Sequence, residues 1–211
     1  MNQPNIVIVD YGVGNTHSVV NAVRALGYRK VKISCAEQDI VSAADVLILP
    51  GVGAFEACVQ NLRERHLDES LNEAVLSRKK PILGICVGMQ LMATLSEENG
   101  RHAGLGWIPG QVIKLHLPEG YPTPHVGWND IRRLSADVLF ARTSERPNFY
   151  FDHGYHYQCE PHYVTAECDY GMTITAAIGH ENIHGVQFHP EKSQNNGLRL
   201  FRGFFNAVTK C

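Results

Sequence analysis

The chain has 211 residues, 44% hydrophobic and 19% charged, enough apolar material for one sizeable α/β core without disulfide or metal staples. A net charge of −2 offers no basic surface for nucleic acid or an anionic membrane, and no apolar run reaches the roughly 20 residues of a membrane span. The six cysteines (Cys35, Cys58, Cys86, Cys159, Cys168 and Cys211) are scattered without a C-x-x-C pair, so the expectation is reduced thiols in a cytoplasmic protein rather than a disulfide framework.

The opening MNQPNIVIVDYG lacks a basic segment followed by a signal-type apolar stretch and leads straight into a strand, residues 6–10 (IVIVD). A helix carrying Val19, Val20, Val23 and Leu26 follows and stops at Gly27. Residues 31–34 make a second strand, and residues 46–49 (VLIL) a third, closed by PGVG at 50–53. Helices are expected over about 54–63 and 68–77, then a fourth strand over 81–85 and a helix over 89–95. Continuous apolar strands separated by helices predict a doubly wound, mostly parallel sheet covered on both faces. Later strands are shorter, at 112–115, 148–151, 163–168, 173–178 and 183–188, and read as antiparallel additions. A closing helix over 196–208 presents Leu198, Leu200, Phe201, Phe204 and Phe205 as a broad apolar face. No linker or internal repeat interrupts this series, so residues 1–211 are expected to form a single domain.

Three short motifs fall at carboxyl ends of predicted strands, where open α/β sheets keep their sites. In GICVG (84–88), a strand meets a helix at Cys86 between two glycines, the pattern of a nucleophile elbow with Cys in place of Ser. The helix start favours a thiolate, and its first N–H, that of Val87, is placed to bind an oxyanion. The same spacing also suits a small buried Cys packed behind a glycine turn. In FHPE (188–191), His189 is a candidate base. A regular strand would hold Glu191 about 6–7 Å from it, but Pro190 breaks pairing and lets the carboxylate fold back onto the imidazole. A solvated turn is the alternative there. In PGVG, glycine lets backbone N–H groups at Gly51 and Val52 face a cleft, or simply makes a turn. Together the three describe a thiol-based acyl-transfer site.

These residues resemble the class I (triad) glutamine amidotransferases over nearly the whole chain. Within that family, DYGVGN (10–15), PGVGAF (50–55), LGICVGMQL (83–91), SEE (96–98), PHVGWN (124–129) and GVQFHPEKSQ (185–194) resemble the branch of glutaminase subunits serving imidazole glycerol phosphate synthases. The resemblance implies a flavodoxin-like core and a Cys86–His189–Glu191 triad that hydrolyses L-glutamine to glutamate and ammonia through a cysteinyl thioester. It implies oxyanion donors at Gly51, Val52 and Val87, and glutamine contacts at Gly53, Gln90, Glu98, Gly154 and Tyr155. It also implies that ammonia passes to a (βα)₈-barrel synthase subunit making imidazole glycerol phosphate and AICAR in histidine biosynthesis. Tyr11, Asn15, Tyr150 and Lys192 then fall nearest the docking surface. One stretch departs from the family: Phe151-Asp152-His153-Gly154-Tyr155 puts a charge and a glycine where an apolar and a hydroxyl residue are usual.

That departure keeps a related reading open, a glutaminase subunit serving a barrel synthase that aminates a nucleotide-linked sugar for surface polysaccharide. A stand-alone cysteine hydrolase and a catalytically silent docking subunit are further alternatives; the latter would be expected to lack a triad member. His153, Cys159 and the histidines at 156 and 162 are too irregularly spaced to predict a metal site. The G-x-G of DYGVGN lacks the rest of a dinucleotide fingerprint, so no cofactor is expected.

Overall fold

The computed structural model describes residues 3–135 and 137–208; Cys211 lies outside them. Parallel strands form the centre of the main sheet in the order β2 (Val31–Ser34), β1 (Ile6–Val9), β3 (Val46–Gly51), β4 (Ile82–Cys86) and β13 (Ile183–Val186). Every residue of β1, β3 and β4 is buried, which is why their sequences are unbroken apolar runs rather than alternating ones. The sheet continues antiparallel through β12 (Thr173–His180), β11 (Val164–Asp169), β8 (His125–Arg133) and β9 (Asn148–His153). The architecture is thus a mixed α/β fold with a large, mostly parallel core.

The helices are α1 (Thr16–Ala25), α2 (Phe55–Glu64), α3 (Leu67–Asn72), the four-residue α4 (Val87–Gln90) and α5 (Gln194–Val208). Helix α1 touches α5, and α2 packs beside α3 and α4. Leu200, Phe201, Phe204 and Phe205 recur at helical spacing along α5 and all are fully buried. Burying each such phenylalanine stabilises the fold by roughly 1.5–3 kcal/mol, so this face is enough to fix a helix rich in Asn and Gly.

Four expectations change. The helix expected over 89–95 ends at Gln90; Leu91, Met92 and Ala93 are buried in turns, and β5 (Leu95–Ser96) joins a second sheet. A short apolar run signals burial without specifying helix or strand. That second sheet, ordered β10 (Tyr155–Cys159), β7 (Gly110–Lys114), β5 and β6 (His102–Ala103), takes the strand expected at 112–115 away from the central sheet. Strands β6 and β8 were not anticipated. Last, β13 is not an antiparallel addition on both sides: it pairs parallel with β4 and antiparallel with β12, and it ends at Val186, short of 188.

Register brings the three motifs to one edge. Gly51 is paired with Cys86 across β3 and β4, and Val186 with Ile85 across β13 and β4. The segments leaving β3, β4 and β13 therefore emerge side by side.

Candidate active site

Cys86 closes β4 and opens α4 with φ 55° and ψ −113°, a conformation costly for a residue with a side chain and held by its surroundings. The flanking glycines explain how. A Cβ on Gly88 would lie 1.8 Å from the Leu49 carbonyl oxygen, and one on Gly84 would lie 2.7 Å from the Gly88 oxygen. Only hydrogen fits where α4 presses against β3 and β4.

His189 follows β13 and stands at the start of a single 3₁₀ turn, Pro190–Lys192. The turn, not a strand, folds Glu191 back, so that His189 Nδ1 meets Glu191 Oε1 at 2.8 Å with both side chains almost inaccessible. Burial on its own would lower the imidazole's pKa. Hydrogen bonds and charge from Cys86 and Glu191 outweigh it and hold His189 up at about 10. The ring is an imidazolium at neutral pH, and its Nδ1–H donates to Glu191.

Ser193 secures this turn from beneath. Its Oγ donates to the His189 carbonyl at 2.6 Å and accepts from Tyr150 N at 3.0 Å, while His189 N donates to Tyr150 O at 2.8 Å. Sequence reasoning missed Ser193, although its serine next to HPEK was in view.

Cys86 and His189 face a cleft of about 260 Å³ that is also lined by Val52, Gly53, Val87, Gln90, Glu98, Asp152, Gly154, Tyr155 and Lys192. Gly51 is not part of that lining. It is buried behind it, where a Cβ would strike Gly88 N, Tyr11 Oη and Val87 Cβ within 2.9 Å. Val52 is 38% exposed, and its carbonyl accepts from Cys58 Sγ at 3.5 Å. Gly53 follows with φ +89°. Gln90 Nε2 donates to Tyr155 O at 3.1 Å, and Glu98 Oε2 accepts from Phe55 N at 2.8 Å, capping α2 from a distant loop.

The departing segment keeps its main chain at the site. Asp152 O lies 4.0 Å from Cys86 Sγ, while its carboxylate turns to the rim, 3.8 Å from Lys192 Nζ. Gly154 needs no special backbone, and a Cβ there would meet nothing closer than Pro124 Cβ at 3.9 Å. His153 points inward, with Nδ1 2.8 Å from Tyr155 O and Nε2 3.1 Å from His125 Nδ1. Burial pushes these two histidines down, His153 to about 3 and His125 to about 4, so both are neutral, and His153 feels the cationic His189.

The positions expected near a docking surface separate. Lys192 is exposed, with Nζ 5.3 Å from the centre of the half-buried Tyr150 ring, and Asn15 is half-buried at the start of α1. Tyr11 is corrected: it is wholly buried, because its hydroxyl donates to Pro50 O at 2.8 Å and braces the PGVG loop from within. Another cleft, of about 310 Å³, lies at the β8–β11 region between Arg132, Arg146, Glu167 and Asp169 and includes none of Cys86, His189 and Glu191.

A strained thiol, a cationic imidazole beside it, and a carboxylate orienting that imidazole make a nucleophilic acyl-transfer site. The family model for class-I glutamine amidotransferases matches residues 7–208. The chain is 44% identical over 203 residues to imidazole glycerol phosphate synthase subunit HisH 2 of Vibrio vulnificus, covering 96% of this chain and 94% of that one. It is 40% identical over 204 residues to the subunit of the same name from Pseudomonas aeruginosa, covering 96% and 100%. Among solved structures, one of a glutamine amidotransferase superposes with a TM-score of 0.74 at 16% identity, covering 96% of this chain and 98% of that one.

Proposed function

The chain belongs to the class-I glutamine amidotransferases, and from that membership we propose that it is the glutaminase subunit of an imidazole glycerol phosphate synthase, acting as one domain over residues 1–211 in histidine biosynthesis. Cys86 thiolate attacks the carboxamide carbon of L-glutamine. The oxyanion is held by N–H groups at Val87 and Val52, the two that line the cleft, Gly51 being buried behind them. His189 gives its proton to the departing ammonia, Glu191 keeping the ring oriented, and water then hydrolyses the thioester to glutamate. Gln90, Glu98, Gly53, Gly154 and Tyr155 hold the substrate in the cleft.

Ammonia passes to a (βα)₈-barrel partner subunit that makes imidazole glycerol phosphate and AICAR. The name "synthase subunit" borne by the relatives supports a partner. So does the cleft's surround: Val126 and Trp128 of β8 are 52% and 45% exposed, with Tyr150, Lys192 and the half-buried Asn15 as further contacts.

The observation that carries this reading is the meeting of Cys86 and His189 at one cleft, with Glu191 bonded to the far side of an imidazole held at about 10. Its test is Cys86→Ala in the assembled synthase. Glutamine-dependent synthesis is lost while synthesis from added ammonia persists; loss of both would make the cysteine structural and refute the mechanism.

A further inference from the structure

Gln187 is a fully buried amide near the sulfur that the mechanism above leaves unused; it stands two residues before His189 and is wholly inaccessible. Its amide lies between Gln90 and Cys86. The orientation of that amide follows from a chain of necessity. Gln90 Nε2 donates to the Tyr155 carbonyl at 3.1 Å, and a carbonyl can only accept, so this end of Gln90 is the nitrogen. The same nitrogen donates to Gln187 Oε1 at 3.0 Å, which fixes that end as oxygen. Gln187 Nε2, left facing the other way, lies 3.7 Å from Cys86 Sγ. An amide N–H aimed at sulfur bonds a thiolate more strongly than a thiol.

We propose that Gln187 is a further catalytic-site residue, an N–H donor to the Cys86 thiolate whose orientation is locked by Gln90. The other groups around the sulfur are the His189 imidazole, the Asp152 carbonyl at 4.0 Å, and Tyr11 and Cys58 behind it. Gln90 also lines the cleft, so the residue placed to meet the substrate and the nucleophile share one hydrogen-bonded amide pair. The inference rests on the glutaminase reading only for what the thiolate attacks.

Alkylation of Cys86 by iodoacetamide, followed peptide by peptide in a mass spectrometer from acid to alkaline pH, tests it. Gln187→Met keeps the volume and removes the donor. Its alkylation rate at pH 7 falls about tenfold relative to wild type, and the two profiles converge at alkaline pH where the sulfur is ionised regardless. Gln90→Leu frees the Gln187 amide to turn and gives a smaller fall of the same kind. A Gln187→Met profile that superimposes on wild type, or is lowered equally at every pH, overturns the proposal. Should that variant not fold, a Gln90→Leu profile identical to wild type overturns it instead. Failure of the glutaminase reading would show separately, as no glutamate release by the wild-type complex, and leaves the alkylation comparison intact.

Discussion

At the scale of single residues, the site works because opposing effects on His189 are unequal. Burial alone would leave a neutral ring; Cys86 and Glu191 reverse that and keep it protonated up to about pH 10. Glu191→Gln keeps an acceptor for Nδ1–H but removes the charge. The alkaline limb of the glutaminase profile should then move to lower pH, with kcat down by about ten- to a hundredfold. A stability consequence follows with a definite sign. A folded-state pKa raised above 6.5 contributes stability that is complete below 6.5 and is lost as pH rises through about 10. The gap in urea midpoint between wild type and Glu191→Gln should therefore narrow from pH 6.5 to 10; a gap that is constant, or widens, contradicts the assignment. Cys86, His189 and Glu191 were legible in the sequence because each sits in a motif with its own steric logic. Gln187 and Ser193 were not, because an interior amide or hydroxyl carries no spacing signal; only the fold shows what it touches.

At the scale of elements, the elbow is a packing problem solved by missing side chains. Helix α4 approaches β3 so closely that Gly88→Ala drives a Cβ to 1.8 Å from Leu49 O, which is backbone and cannot swing aside. The variant should lose more than about 4 kcal/mol of stability or fail to fold. Gly154→Ala, with 3.9 Å to its nearest neighbour, should stay within about 0.5 kcal/mol of wild type. Urea denaturation of the pair decides the point, and equal midpoints would mean that the elbow relaxes freely. The parallel half was readable because strands buried on both faces are unbroken apolar runs. The antiparallel half was less so. In β8 only His125 and Ile131 are buried, with Val126 and Trp128 turned outward, so the alternation that marks a strand is nearly absent from its sequence. The stretch after Gln90 misled in the opposite sense, being apolar because it is enclosed rather than because it is helical.

At the scale of the whole molecule, the sheet order explains why residues far apart in the chain converge. β3, β4 and β13 run parallel side by side, so PGVG, the Cys86 elbow and HPE leave the same edge of the sheet. Exposed Val126 and Trp128, paired across β8 and β9 with Asp152 and Tyr150, and exposed Lys192 lie beside that edge, where the proposed partner would cover the cleft. Tyr11 binds the first loop to Pro50 O, and Glu98 caps α2 just beyond Gly53, so the PGVG loop is tied at both ends. A partner that shifts this loop would move the backbone N–H proposed above as an oxyanion donor. The most direct measurement is glutamate release by the purified chain alone, with its barrel partner, and with that partner carrying its ribulosyl nucleotide substrate. The account predicts a nearly idle lone chain and a rise of roughly tenfold or more in the complete mixture. A lone chain that already turns over glutamine at the full rate, or a complete mixture that shows no rise, would contradict it.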